Sequence, residues 1–145
     1  MQRNPQAKEM ADESMVRNLA AQADAIWPQE LPILRRHALP EAPAILDVGC
    51  GTGEISSRLA EVFPRSTVTG VDLLEPHLEL ARERYAGLGD RLTFRQADAF
   101  ELPFPARSFD LVVCRHLLQA VPHPENILAE MVRVARPGAV LHVIP

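Results

Sequence analysis

The chain is poor in cysteine, in long apolar runs and in positive charge, and each shortage closes off a class of protein. Its two cysteines, Cys50 and Cys114, show no CxxC or CxxH spacing, which argues against a disulfide framework and against a zinc site; no metal is expected. No apolar stretch approaches the roughly 20 residues of a membrane-spanning helix, and the N-terminus lacks the apolar segment of a secretory signal. The expected location is therefore cytoplasmic, away from membranes. Positive charge is also lacking: the formal net charge is -4, and no basic stripe offers broad attraction to nucleic acid or anionic lipid. What remains is 145 residues, 47 % hydrophobic, enough for one domain with a packed core.

The informative stretch is Ile45 to Gly53, ILDVGCGTG. Apolar residues run into three glycines spaced two apart, Gly49, Gly51 and Gly53, and an amphipathic helical pattern opens at Glu54. That order describes a buried strand turning tightly into a helix. Glycine supplies the positive φ such a turn needs and lets a ligand approach the backbone, while the first N–H groups of the helix favour an anionic ligand group. Asp47 stands two residues before the first glycine, where a carboxylate repels a pyrophosphate and favours a cation. A zwitterion satisfies both demands, and the methionine end of S-adenosylmethionine is one.

Around this turn the pattern alternates between strands and helices. Residues 1–12 are polar and aperiodic and predict a tail. Met15, Leu19, Ala23, Ile26 and Trp27 predict a helix ended by Pro28, with a second short helix from Glu30 to His37, so that 13–39 forms a helical extension ahead of a main domain at 40–145. Within the extension, Gln22 and Trp27 are candidates to face a ligand. Thr67 to Val71 is a second strand with Asp72 at its carboxyl end, 19 residues past Gly53, where a carboxylate can accept hydrogen bonds from both ribose hydroxyls; the competing role is a helix N-cap. Leu73 offers an apolar face beside it. Leu92 to Gln96 is a third strand leading to Asp98 and Ala99, and Pro103 and Pro105 predict a loop in place of the next crossover helix. Phe109 to Cys114 is a fourth strand, expected beside the first, so Arg115 and His116 emerge over the reaction site. His116 is the candidate proton acceptor or substrate contact. A helix through Val134, a turn at Arg136 to Gly138 and a fifth strand from Ala139 to Ile144 complete the pattern.

From Ala44 onward, with DVGCGTG as its strongest mark and RPGAVL as support, the chain resembles the class I S-adenosylmethionine-dependent methyltransferases of the methyltransferase type 11 or UbiE-like kind. The resemblance implies an α/β, Rossmann-like, doubly wound parallel sheet of strand order 3-2-1-4-5, with S-adenosylmethionine as cofactor and S-adenosylhomocysteine as product. It implies that Asp47, Gly49, Gly51 and Gly53 hold the methionine portion, that Asp72 holds ribose, and that Leu73, Asp98 and Ala99 hold adenine, with Cys114 bordering the site. In related enzymes an N-terminal helical segment lies over the cofactor. The chain departs from the family in lacking its last two strands. It is therefore expected to be a fragment, or to pair along the edge Ala139 to Ile144 with a partner or a second copy. CRHL stands where an NPPY-type tetrad would, which disfavours nucleobase or glutamine methylation and leaves a small-molecule acceptor. Two alternatives stay open. One is a non-catalytic cofactor-binding module. The other, an NAD-dependent oxidoreductase, is opposed by Glu54, which occupies the third glycine position of the dinucleotide fingerprint.

Overall fold

Five runs of aliphatic and β-branched residues pair into one parallel sheet: β1 (Ala44–Val48), β2 (Thr67–Asp72), β3 (Leu92–Gln96), β4 (Phe109–Arg115) and β5 (Ala135–Ile144), in the order β3-β2-β1-β4-β5. The computed structural model describes residues 13–145; the tail expected over 1–12, and the side chains of Met15 and Leu19, lie outside the described residues. β1 and β4 sit side by side at the centre and are buried on both faces, which is why they read as near-continuous apolar runs. Their side chains alternate. Ile45, Leu111 and Val113 face one core, together with Leu59 and Leu78 of the helices on that side. Leu46, Val48, Val112 and Cys114 face the other, with Ile127 and Met131.

Helices α2 (Glu54–Val62), α3 (Glu75–Arg84) and α4 (Pro124–Val134) carry the crossovers, and no helix separates β3 from β4, as Pro103 and Pro105 predict. The strand order reverses between β1 and β4, and a crevice at their carboxyl ends follows from that reversal. No helix among the described residues is long and apolar enough to cross a membrane.

Two expectations are corrected. The N-terminal pieces form a single helix, α1 (Glu13–Arg35), running through Pro28 and Pro32. An interior proline removes a helix hydrogen bond and costs about 3 kcal/mol in isolation, so the packing of Ala23, Glu30 and Leu34, each no more than 3 % exposed, must outweigh it. Arg58 also donates to the Ala23 carbonyl at 2.8 Å in the turn before Pro28. The extension is thus part of the main core, continuous with β1 and α2. The second correction concerns Arg136 to Gly138, which do not end an element. They bulge out of β5, which pairs at Ala135 with Phe109 and resumes at Val140 with Leu111. Asp110 braces the bulge, its Oδ2 accepting from Arg136 Nη1 at 2.9 Å and from the Ala44 N–H at 2.8 Å.

Candidate active site

At the carboxyl ends of the strands lies a cleft of about 1100 Å³, counting its solvent-open mouth. Its floor is the glycine turn, where Gly49, Gly51 and Gly53 all have positive φ, at 74°, 56° and 86°. The turn is clipped to β2: the N–H groups of Gly49 and Cys50 donate to the Val71 carbonyl at 2.8 and 2.9 Å, and the Gly51 N–H donates to Asp72 Oδ2 at 2.9 Å. Asp72 Oδ1 accepts from the Leu74 N–H at 2.9 Å. The N-cap of α3 is Leu74, so Asp72 is a brace between turn and strand and not a cap. Each of its oxygens retains a lone pair for a ligand hydroxyl.

Asp47 borders the same cleft at 3 % exposure and accepts a hydrogen bond from Ser56 Oγ at 2.6 Å. Burial pushes its pKa up to about 7, against the opposing pull of the Ser56 hydrogen bond and the Arg115 charge. Asp98, just past β3, accepts from the Phe100 N–H at 2.9 Å and lines the cleft beside Ala99. Leu73 supplies a 40 % exposed apolar surface. Asp47, Gly49, Gly51, Asp72, Leu73, Asp98, Ala99 and His116 are therefore brought together.

Gly53 and Cys114 are not among them. A Cβ on Gly53 would stand 2.7 Å from Phe94 Cζ, so this glycine makes room for the aromatic ring of β3. Cys114 is fully buried against α4, and burial with the nearby Asp47 charge raises its thiol pKa to about 12. Cys50 borders the cleft, and its thiol is pushed well up by burial. Neither cysteine is poised as a nucleophile.

The structure adds Glu30 and His142, which sequence reasoning did not single out, and gives Glu54 and Arg115 partners that the sequence did not show. Glu54 reaches the cleft, its carboxylate held by Thr52 Oγ1 at 2.6 Å and by Arg84 Nη1 at 2.9 Å. Glu30 of α1 is buried with Arg115 and His142: Arg115 Nε donates to Glu30 Oε1 at 2.8 Å, Arg115 Nη2 lies 2.6 Å from Oε2, and His142 Nε2 lies 3.1 Å from Oε1. Burial raises the Glu30 pKa, but the hydrogen bonds from His142 and Arg115 outweigh it and hold it below a glutamate's ordinary value. The signal was present in the chain as Ala23, Trp27, Glu30 and Leu34, an apolar helical stripe with one acid set into it. Gln22 lines the cleft, whereas Trp27 packs against the core with the Arg58 guanidinium 5.8 Å from its ring.

Residues 45–138 match the profile of a family described as "Methyltransferase domain". A ubiquinone/menaquinone biosynthesis C-methyltransferase UbiE of Desulfotalea psychrophila is 38 % identical over 68 % of this chain and 39 % of its own length. A demethylmenaquinone methyltransferase of Thermus thermophilus is 36 % identical over 88 % of this chain and 57 % of its own. Among solved structures, a phosphoethanolamine N-methyltransferase 2 of Haemonchus contortus, in complex with S-adenosyl-L-methionine, superposes with a TM-score of 0.72 at 32 % identity, covering 81 % of this chain and 27 % of that one. The chain thus spans less than two thirds of each of these relatives.

Proposed function

The chain belongs to the S-adenosylmethionine-dependent methyltransferase family, and from that premise we propose that it transfers a methyl group from S-adenosylmethionine to a small-molecule acceptor. The observation that carries this reading is the convergence of Asp47, Asp72 and Asp98, from the ends of three adjacent strands, on one cleft. The residues fit the cofactor. Asp47 is a buried carboxylate whose hydrogen-bond donor here is a neutral hydroxyl, so an ammonium group beside it relieves the cost of its burial. Gly49 and Gly51 let the methionine portion approach the backbone, the spare lone pairs of Asp72 suit the ribose hydroxyls, and Leu73, Asp98 and Ala99 suit adenine. When bound, the sulfonium of S-adenosylmethionine supplies an already activated methyl group. The protein's own share is to align the acceptor, exclude water and, where required, take up a proton.

Glu54 supports this cofactor over a dinucleotide, because its carboxylate stands at the turn where a diphosphate would lie. A small acceptor accords with relatives named for ubiquinone and menaquinone biosynthesis. We further propose a cytoplasmic location and pairing of the edge Ala139 to Ile144 with a partner or second copy. Asp72→Ala should weaken S-adenosylhomocysteine binding by about 1–3 kcal/mol, the usual cost of losing charge-assisted hydrogen bonds. Calorimetry checks this, with thermal unfolding of the same variant to report the loss of its bonds to Gly51 and Leu74. Unchanged affinity in the variant, or wild-type protein that takes NADH and refuses S-adenosylhomocysteine, refutes the assignment.

A further inference from the structure

Two adjacent serines of α2 use their hydroxyls differently. Ser57 Oγ donates to the Glu54 carbonyl, three residues back, at 2.8 Å, an ordinary outlet for a helical serine. Ser56 Oγ passes over its own helix and donates to Asp47 Oδ2 at 2.6 Å, nine positions back on β1. The alternation of β1 explains the meeting, because Asp47 lies on the same side of the strand as Ile45, the side that Ile55 and Leu59 of α2 cover. Ser56 is fully buried and does not line the cleft. Whatever it does for a ligand, it does through Asp47.

The bond divides the carboxylate. Oδ2 is held by Ser56. Oδ1 accepts from no group among the described residues, yet it is not sealed away unpartnered as both ring nitrogens of His77 are. It is the oxygen left to the cleft that Asp47 lines. A short O–H···O⁻ bond is charge-assisted; it fixes the rotation of the carboxylate and favours its ionised form. The charges facing Asp47 pull both ways: Arg115 of β4 favours ionisation, whereas Asp72 of β2 and Glu30 of α1 oppose it. The nearby thiols of Cys50 and Cys114 are held neutral by burial. Against the cost of burial, the Ser56 hydroxyl is the largest influence keeping Asp47 charged.

We propose, resting on the methyl-transfer reading above, that Ser56 is a positioning residue for the cofactor: its hydroxyl turns Asp47 Oδ1 to the cleft and keeps the carboxylate ionised to receive the ammonium group of S-adenosylmethionine. The effect is confined to that one group of the ligand. Ribose and adenine fall to Asp72 and Asp98, so removing the Ser56 hydroxyl weakens recognition of the ammonium and leaves the rest of the cofactor's contacts in place.

The test compares the full chain with Ser56→Ala and with Ser57→Ala, since alanine suits a helix and removes only the hydroxyl. Two ligands are used: S-adenosylhomocysteine, and its deaminated analogue, which keeps the carboxylate and lacks the ammonium. In calorimetry at about pH 7, Ser56→Ala should bind S-adenosylhomocysteine at least ~10-fold more weakly than wild type, the usual weight of a hydrogen bond to a charged group. The analogue should bind Ser56→Ala and wild type within about twofold of each other, and Ser57→Ala should match wild type with both ligands. At about pH 9, where the carboxylate is ionised with or without its donor, the loss in Ser56→Ala should shrink to within about threefold. Asp47→Asn leaves no charge for the hydroxyl to steady, and adding Ser56→Ala to it should change affinity for S-adenosylhomocysteine by less than about twofold. No binding of S-adenosylhomocysteine to wild type defeats the methyl-transfer reading itself. Where wild type binds, equal losses with both ligands make Ser56 a support of the glycine turn and overturn the proposal. So does a loss that is the same at both pH values, or one that persists beside Asp47→Asn.

Discussion

Asp47 is charged at a cost. Its folded pKa stands at about 7 against an ordinary 3.8, chiefly through burial. A carboxyl whose folded pKa is raised contributes stability that is complete below its unfolded pKa and is lost as pH rises through the folded value. Between about pH 4 and pH 7 the free protein should therefore lose on the order of 4 kcal/mol at this residue, at roughly 1.4 kcal/mol per pKa unit. Asp47→Asn, which keeps an acceptor for Ser56 and never ionises, should be more stable than wild type at pH 8 by a few kcal/mol and near parity at pH 4. Urea unfolding at the two pH values measures the gap, and a gap that does not change with pH counts against the assignment. At this scale much of the site was legible, because an acid at or just beyond a strand's carboxyl end stands at the rim of the crevice. What could not be read was each residue's second engagement. Asp72 binds the Gly51 N–H, 21 positions away, which meets it only after folding. Gly53 yields to Phe94, 41 positions further on. Cys114 falls on the even-numbered side of β4 and so packs against α4.

Among the elements, α1 has the least expected role. Its prolines predict two helices, and local chemistry is a fair guide until a buried ion pair and an apolar stripe override it. Glu30 and Arg115 have side chains only 3 % and 9 % exposed, so removing one charge strands the other in a poorly solvated place. Glu30→Gln should cost about 3–5 kcal/mol by that argument, whereas Glu30→Leu combined with Arg115→Met should cost less than Glu30→Leu alone. Urea titration of these variants and of Arg115→Met alone tests this, and an additive double variant removes the ion pair from consideration. The folded pKa of Glu30 is lowered, so its contribution is present above a glutamate's ordinary 4.5 and fades as pH falls below it. The difference between wild type and Glu30→Gln should accordingly shrink in acid.

For the molecule as a whole, the alternation of strands and helices was legible in the chain, and the order 3-2-1-4-5 was what its resemblance to the methyltransferases implied. The bulge in β5 was not, since it depends on Asp110 meeting Arg136 and Ala44 across the sheet. β5 is an edge of the described sheet, and its outer side presents main-chain groups that another strand can pair. The pairing proposed for β5 predicts concentration-dependent association of the 145-residue chain in sedimentation experiments, and a monomer throughout the range of about 1–100 μM excludes it at affinities typical of stable complexes. Glu30 has a last consequence, which concerns time. Its partners lie 85 and 112 positions downstream, so during synthesis the helix leaves the ribosome long before the arginine and histidine that retain it. The wall that Gln22 and Ala23 of α1 give the cleft is anchored last, and a nascent chain carries its glycine turn well before that wall is fixed.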